Sequence, residues 1–182
     1  MRVVPTSLDG VLVLEPRVFD DPRGWFMESF SERTFSAATG IETTFVQDNQ
    51  SRSARGVLRG LHYQLAPQAQ GKLVRVTSGS VFDVAVDLRP GSATLGRWAG
   101  IELSEANRRQ LWIPAGFAHG FLVTSDGADF LYKTTAYYHP ASERSVVWND
   151  PAIGIAWPDI GMAPLVSAKD AAAPSWAEVL AG

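Results

Sequence analysis

The sequence predicts an all-β chain of the sandwich or jelly-roll barrel class. Two observations carry that expectation. Apolar residues alternate with polar ones in many short runs bounded by Gly, Pro and Asn turns. The strand–helix–strand alternation of a doubly wound sheet is absent.

In chain order, residues 11–15 (VLVLE) and 25–29 (WFMES) read as early strands, separated by the turn-rich FDDPRG at 19–24. Residues 31–38 form the one clear helix, with Ser31 as N-cap and Gly40 just past its end. Strands follow at 45–49, 57–64 and 72–78. In residues 80–88, Val81, Asp83, Ala85 and Asp87 share one face, and Phe82, Val84, Val86 and Leu88 the other. Further strands are expected at 98–103, 110–113, 120–124 and 130–137. The alanine-rich end reads as a short helix or a loose tail over its last dozen residues. One domain spans 1–182, a size that buries a real core.

Composition narrows the function. Hydrophobic residues make up 46% and charged residues 19%, which excludes a disordered chain. A net charge of −3 gives no basis for general nucleic-acid or membrane-surface binding. No apolar run approaches the ~20 residues of a membrane helix, and the first residues lack a leader's cleavage site, so a cytoplasmic location is expected. The absence of cysteine removes disulfides, thiolate catalysis and thiolate metal sites.

Two segments, GVLRGLHYQ (56–64) and IPAGFAHGF (113–121), carry most of the chemistry. They resemble the paired motifs of the cupin superfamily, in which these strands line the barrel cavity. Metal-binding members offer two histidines two residues apart and then a glutamate. Here His62 is followed at that spacing by Gln64, and only three histidines exist in the chain. A metal site would need His62, His119 and a carboxylate such as Asp83. The expectation is therefore a metal-free cavity in which His62 acts as a general base near neutral pH. Arg59 and Lys72 lie close by, and Lys72 shares a strand face with Val74 and Val76. An enolate formed beside a ketone needs a cation or donor at its oxygen, and Lys72 is the candidate. Tyr132 is suited to return a proton, although spacing alone favours a core aromatic there. Arg23 and Arg59 suit a diphosphate, and Tyr138 or Phe19 a nucleobase.

In order along the chain, FDDPRGWFMESF, FVQDNQS, GVLRGLHYQ, AQGKLVRV, VFDVAVDLR, NRRQLWIPAGFAHGF, FLYKTTAYYHPASER, WNDPAIGIAWP and VSAKD resemble the dTDP-4-dehydrorhamnose 3,5-epimerase family. The resemblance implies a cupin-type barrel, a homodimer whose N-terminal strand crosses to its partner, and cofactor-free epimerisation of a dTDP-4-keto sugar at C3 and C5. It also implies His62 as proton acceptor, Tyr132 as donor, and Lys72 at the C4 oxyanion. Asp170 would orient His62, with Asp83 in reserve. Arg23, Glu28, Gln47, Asp48, Asn49, Arg59, His119, Tyr138, Glu143 and Lys169 would line the substrate site, Arg23 and Glu28 in the neighbouring subunit. The alternatives are a single-carbon epimerase or ketoisomerase on a related dTDP-keto sugar, or a metal-dependent cupin enzyme.

Overall fold

A computed structural model describes residues 1–181. Strands β1 (Arg2–Pro5), β2 (Leu12–Glu15), β3 (Val18–Asp21) and β4 (Gly24–Met27) precede helix α1 (Glu32–Thr39). Then follow β5 (Gln47–Ala54), β6 (Val57–Gln64), β7 (Lys72–Ser78), β8 (Ser80–Asp87), β9 (Trp98–Ser104), β10 (Gln110–Ile113), β11 (Phe117–Val123) and β12 (Gly127–Thr134). Short elements complete the chain: β13 (Glu143–Ser145), β14 (Leu165–Val166), α2 (Ala168–Ala171) and α3 (Trp176–Ala181).

Two sheets face each other, in strand orders β1-β2-β10-β7-β12-β5 and β13-β6-β11-β8-β9. β14 adds to β6 in parallel, and β3 and β4 pair as a separate hairpin. The crossovers between non-consecutive strands make the jelly-roll barrel that the sequence predicts. Its interior is built by period-two alternation: Val81 and Ala85 of β8, Val74 and Val76 of β7, and Phe121 and Val123 of β11 all meet between the sheets.

Both sheets also carry apolar side chains on their outer faces, and each needs a cover. Leu14, Leu73 and Trp112 of the first sheet pack under Phe35 of α1, with Phe30 and Phe45 in edge-to-face contact around it. Ser31 caps α1 by accepting from the Thr34 amide, and Gly40 ends it at φ +71. Val84 and Val86 of the second sheet pack under Val146, Ile153 and Trp176.

Several boundaries differ from expectation. The turn read at 19–24 is tighter than expected: Asp21 bonds back to the Arg23 amide, leaving residues 18–21 free to pair with 24–27. β5 runs on to Ala54 because its whole length pairs with β12. β11 starts at Phe117, and β12 is shifted to 127–134. The C-terminal segment up to Ala181 is not a loose tail. Trp176 is 8% exposed in the second apolar cover, and its amide donates to the Asp150 carboxylate at 2.8 Å. Trp176→Ala is expected to destabilise the chain by about 3–5 kcal/mol in chemical denaturation, as a large buried aromatic lost from a packed core does; a change under about 1 kcal/mol would show that the segment is dispensable.

Candidate active site

The cavity takes its shape from one irregularity. β6 and β11 pair with a register shift between His119 and Phe121, so His119 stands directly opposite His62. At the shift the backbones almost touch: a Cβ on Gly60 would lie 2.6 Å from the Gly120 Cα. Gly60 also adopts φ +123, which disfavours any other residue.

His62 is held from across the chain. Its Nε2 lies 2.7 Å from Oδ1 of Asp170, while Oδ2 of that carboxylate accepts the Gly60 amide at 3.3 Å. Asp170 is buried, on α2, whose N-cap Ser167 accepts from the Asp170 amide. An ionised carboxylate only accepts, so Nε2 carries the proton and Nδ1 keeps the lone pair. That tautomer makes Nδ1 the basic atom.

Asp83, the reserve partner for His62, instead faces His119, whose Nε2 lies 3.0 and 3.1 Å from its two oxygens. The reason is register: His119 pairs with Ala85, two residues along β8 from Asp83. Burial pulls the His119 imidazole below its usual range, partly opposed by the Asp83 charge. The ring stacks on Phe130 at 5.9 Å between centroids.

Lys72 is buried at the same floor, its Nζ 3.4 Å from the His62 carbonyl. Desolvation lowers its pKa to about 8, against the pull of Asp83 and Glu143. Tyr132 alternates inward beside Phe130. Burial raises its phenol above the usual value, opposed by the Arg59 charge, so the hydroxyl stays protonated at neutral pH.

A cavity of about 310 Å³ brings these groups together, with Asn49, Arg59, Tyr138 and Glu143 among its walls. Arg59 Nε donates to Ser53 Oγ at 3.0 Å. At the rim, Glu143 accepts from the Tyr138 hydroxyl (3.1 Å) and from Lys169 Nζ (2.6 Å). Burial would raise the Glu143 carboxyl, but these two donors outweigh it and hold it low. Gln47 bonds Asn49 and the Tyr138 amide.

Gln47, Lys169 and Asp170 do not line the cavity themselves but bond residues that do, whereas Asp48, Arg23 and Glu28 stand apart from it. Asp48 alternates to the outer face of β5, where it pairs with Lys133 beside a different hollow of about 600 Å³. That hollow is the larger of the two but contains neither His62 nor His119. Arg23 sits on the β3–β4 turn against Asp21, and Glu28 follows β4; neither is among the cavity's walls. Sequence reading missed Ser51, Gln70 and Phe121 among the walls; the alternation running on from Gln47 and Asn49 would have found Ser51. Among the described residues, no three His, Asp or Glu side chains gather as a ligand set for a metal.

With this geometry in view, relatives can be placed. Residues 5–178 match the family described as dTDP-4-dehydrorhamnose 3,5-epimerase. The chain is 58% identical over 174 residues to the enzyme of that name from Salmonella typhimurium, covering 96% of this chain and 94% of that protein. It is 58% identical over 178 residues to the one from Pseudomonas aeruginosa, covering 98% and 97%. The Legionella pneumophila dTDP-6-deoxy-D-glucose-3,5-epimerase, solved in complex with dTDP-4-keto-L-rhamnose, superposes with a TM-score of 0.92 at 52% identity over 98% of this chain and 96% of that one. The chain belongs to the dTDP-4-dehydrorhamnose 3,5-epimerase family.

Proposed function

We propose that this chain epimerises C3 and C5 of dTDP-4-dehydro-6-deoxy-glucose, giving dTDP-4-dehydrorhamnose, the keto precursor of dTDP-rhamnose. The observation that carries this reading is the 2.7 Å bond between His62 and the buried Asp170, in a cavity shared with a buried lysine and a tyrosine. Family membership supplies the substrate class.

The chemistry follows from the C4 ketone, which acidifies both flanking carbons. His62 removes a proton at Nδ1, and the positive charge formed on the ring is shared with Asp170. The enolate oxygen at C4 is met by Lys72, whose ammonium is stronger for being desolvated. Tyr132 returns a proton on the opposite face, which inverts the carbon. Once His62 has released its proton to water and Tyr132 has regained one, the same base and the same oxyanion partner serve the second carbon. A positioned base contributes on the order of 10²–10⁴-fold, and an oxyanion donor ~10²–10³-fold. No step in this sequence calls for a cofactor.

The active unit is read as a cytoplasmic homodimer. Two features support the dimer: Phe19, Trp25 and Phe26 of the β3–β4 hairpin are exposed, and Arg23 and Glu28 lie outside their own chain's cavity walls. A second copy offering its hairpin covers the aromatics and brings both residues to a site. Sedimentation should give twice the chain mass, and a monomer at working concentration would remove this part of the reading.

Turnover of the dTDP-4-keto sugar in deuterated water should place label at both C3 and C5, as NMR reads it. Label at one carbon only would make the chain a single-carbon epimerase. His62→Ala should lower turnover by on the order of 10³-fold or more, and Asp170→Asn by at least about 10-fold, because an amide allows the wrong tautomer. Lys72 loses its charge as pH rises through about 8. The sign is therefore a loss of kcat/KM above that pH; a profile flat to pH 9.5 would remove Lys72 as oxyanion partner.

A further inference from the structure

The rim segment 135–139 forms no strand or helix, yet glutamine side chains hold its backbone at four points. Gln70 Nε2 donates to the Ala136 carbonyl (2.8 Å), and Gln64 Nε2 to that of Tyr137 (3.2 Å). Gln47 Oε1 accepts the Tyr138 amide (3.0 Å), and Gln64 Oε1 the His139 amide (2.8 Å). Gln64 Nε2 also donates to the Gln68 carbonyl at 2.6 Å.

Gln64 is the centre of this arrangement. It is buried on β6, two residues beyond His62, and both side chains line the cavity. Its nitrogen meets two carbonyls and its oxygen meets an N–H, so the amide has one satisfied orientation. The segment it holds has little apolar anchorage, since Tyr137 is 67% exposed and Tyr138 52%. What keeps Tyr138 in place is therefore polar: Gln47 on its own amide, Gln64 on the backbone of its neighbours Tyr137 and His139, and Glu143 on its hydroxyl. A buried amide deprived of its partners is costly, so the segment and Gln64 stand or shift together.

We propose that Gln64 is a positioning residue: it fixes segment 136–139 so that the Tyr138 ring stands ready as the platform for the nucleobase. This rests on the function proposed above, and takes Tyr138, one of the two aromatics suited to a nucleobase, as the one that meets the base of the dTDP. Gln64 then governs how tightly the nucleotide end is held, while the proton transfers at His62 proceed at their usual rate once substrate is bound.

Two variants test it. Gln64→Leu removes the three bonds that Gln64 makes, leaving those from Gln70 and Gln47; Gln64→Glu keeps the shape but turns a carboxylate oxygen toward two carbonyls. Each should raise KM for the dTDP-4-keto sugar, and the calorimetric Kd of dTDP alone, by about 10-fold, with kcat within about twofold of the parent. In a Tyr138→Ala background the Gln64 penalty on Kd should shrink below about twofold, because the two residues act as one unit. A merely structural role would lower stability but leave that penalty intact. Unchanged dTDP affinity, a fall in kcat at constant KM, or a full penalty surviving without Tyr138 would each overturn the proposal. If Gln64→Leu fails to fold, Gln64→Glu carries the same comparisons. A parent chain that neither binds dTDP nor epimerises the sugar would overturn the functional reading itself, which distinguishes the two failures.

Discussion

The near-contact of Gly60 with Gly120 is the constraint from which the site follows. A Cβ on Gly60 would lie 2.6 Å from the Gly120 Cα, so at this point β6 and β11 approach more closely than a side chain allows. The register shift absorbed there sets His62 against His119 and turns the Gly60 amide toward Asp170. One local distortion therefore settles which strand faces line the cavity, where the proposed base stands, and which carboxylate reaches it. Ordinary antiparallel pairing would have spent those positions on the core.

Electrostatically the cavity floor is expensive. Lys72, Asp83 and His119 are all buried, and each is tolerable only because the others are near. Burial nevertheless pulls the lysine down to about 8, so its charge is not fully compensated by its neighbours. An incompletely neutralised cation is what a developing enolate requires. Asp87 illustrates the opposite policy on the same strand: buried as deeply, it is saturated by Arg89, Ser92 and Thr94, holds its carboxylate well below the usual range, and is left with nothing to offer a ligand.

Much of the barrel was legible because alternation is a local signal. The two faces of β8, the inward run of Phe130, Tyr132 and Thr134, and the caps of α1 all follow from neighbours in sequence. Other features were not local. Whether Asp83 or Asp170 meets His62 depends on a pairing across 108 residues, which no spacing rule contains. The β3–β4 hairpin was obscured because Asp20, Asp21 and Gly24 are turn-type residues that here end the two strands on either side of a two-residue bend. Asp48 was grouped with Gln47 and Asn49 as a block, although strict alternation sends it to the other face.

Asp170 belongs to a four-residue helix that follows every strand of both sheets. During synthesis, domains take shape from the N-terminal side as the chain emerges at roughly 5–20 residues per second. The strands that enclose the pocket can thus be gathered while the carboxylate that orients His62 is still inside the ribosome. A nascent or prematurely terminated chain would present the cavity walls, and even the imidazole, with the ring free to choose the wrong tautomer. On the function proposed above, competence to move protons arrives only with the segment after the last strand, so a chain cut before Asp170 would lack the group that fixes the tautomer of His62.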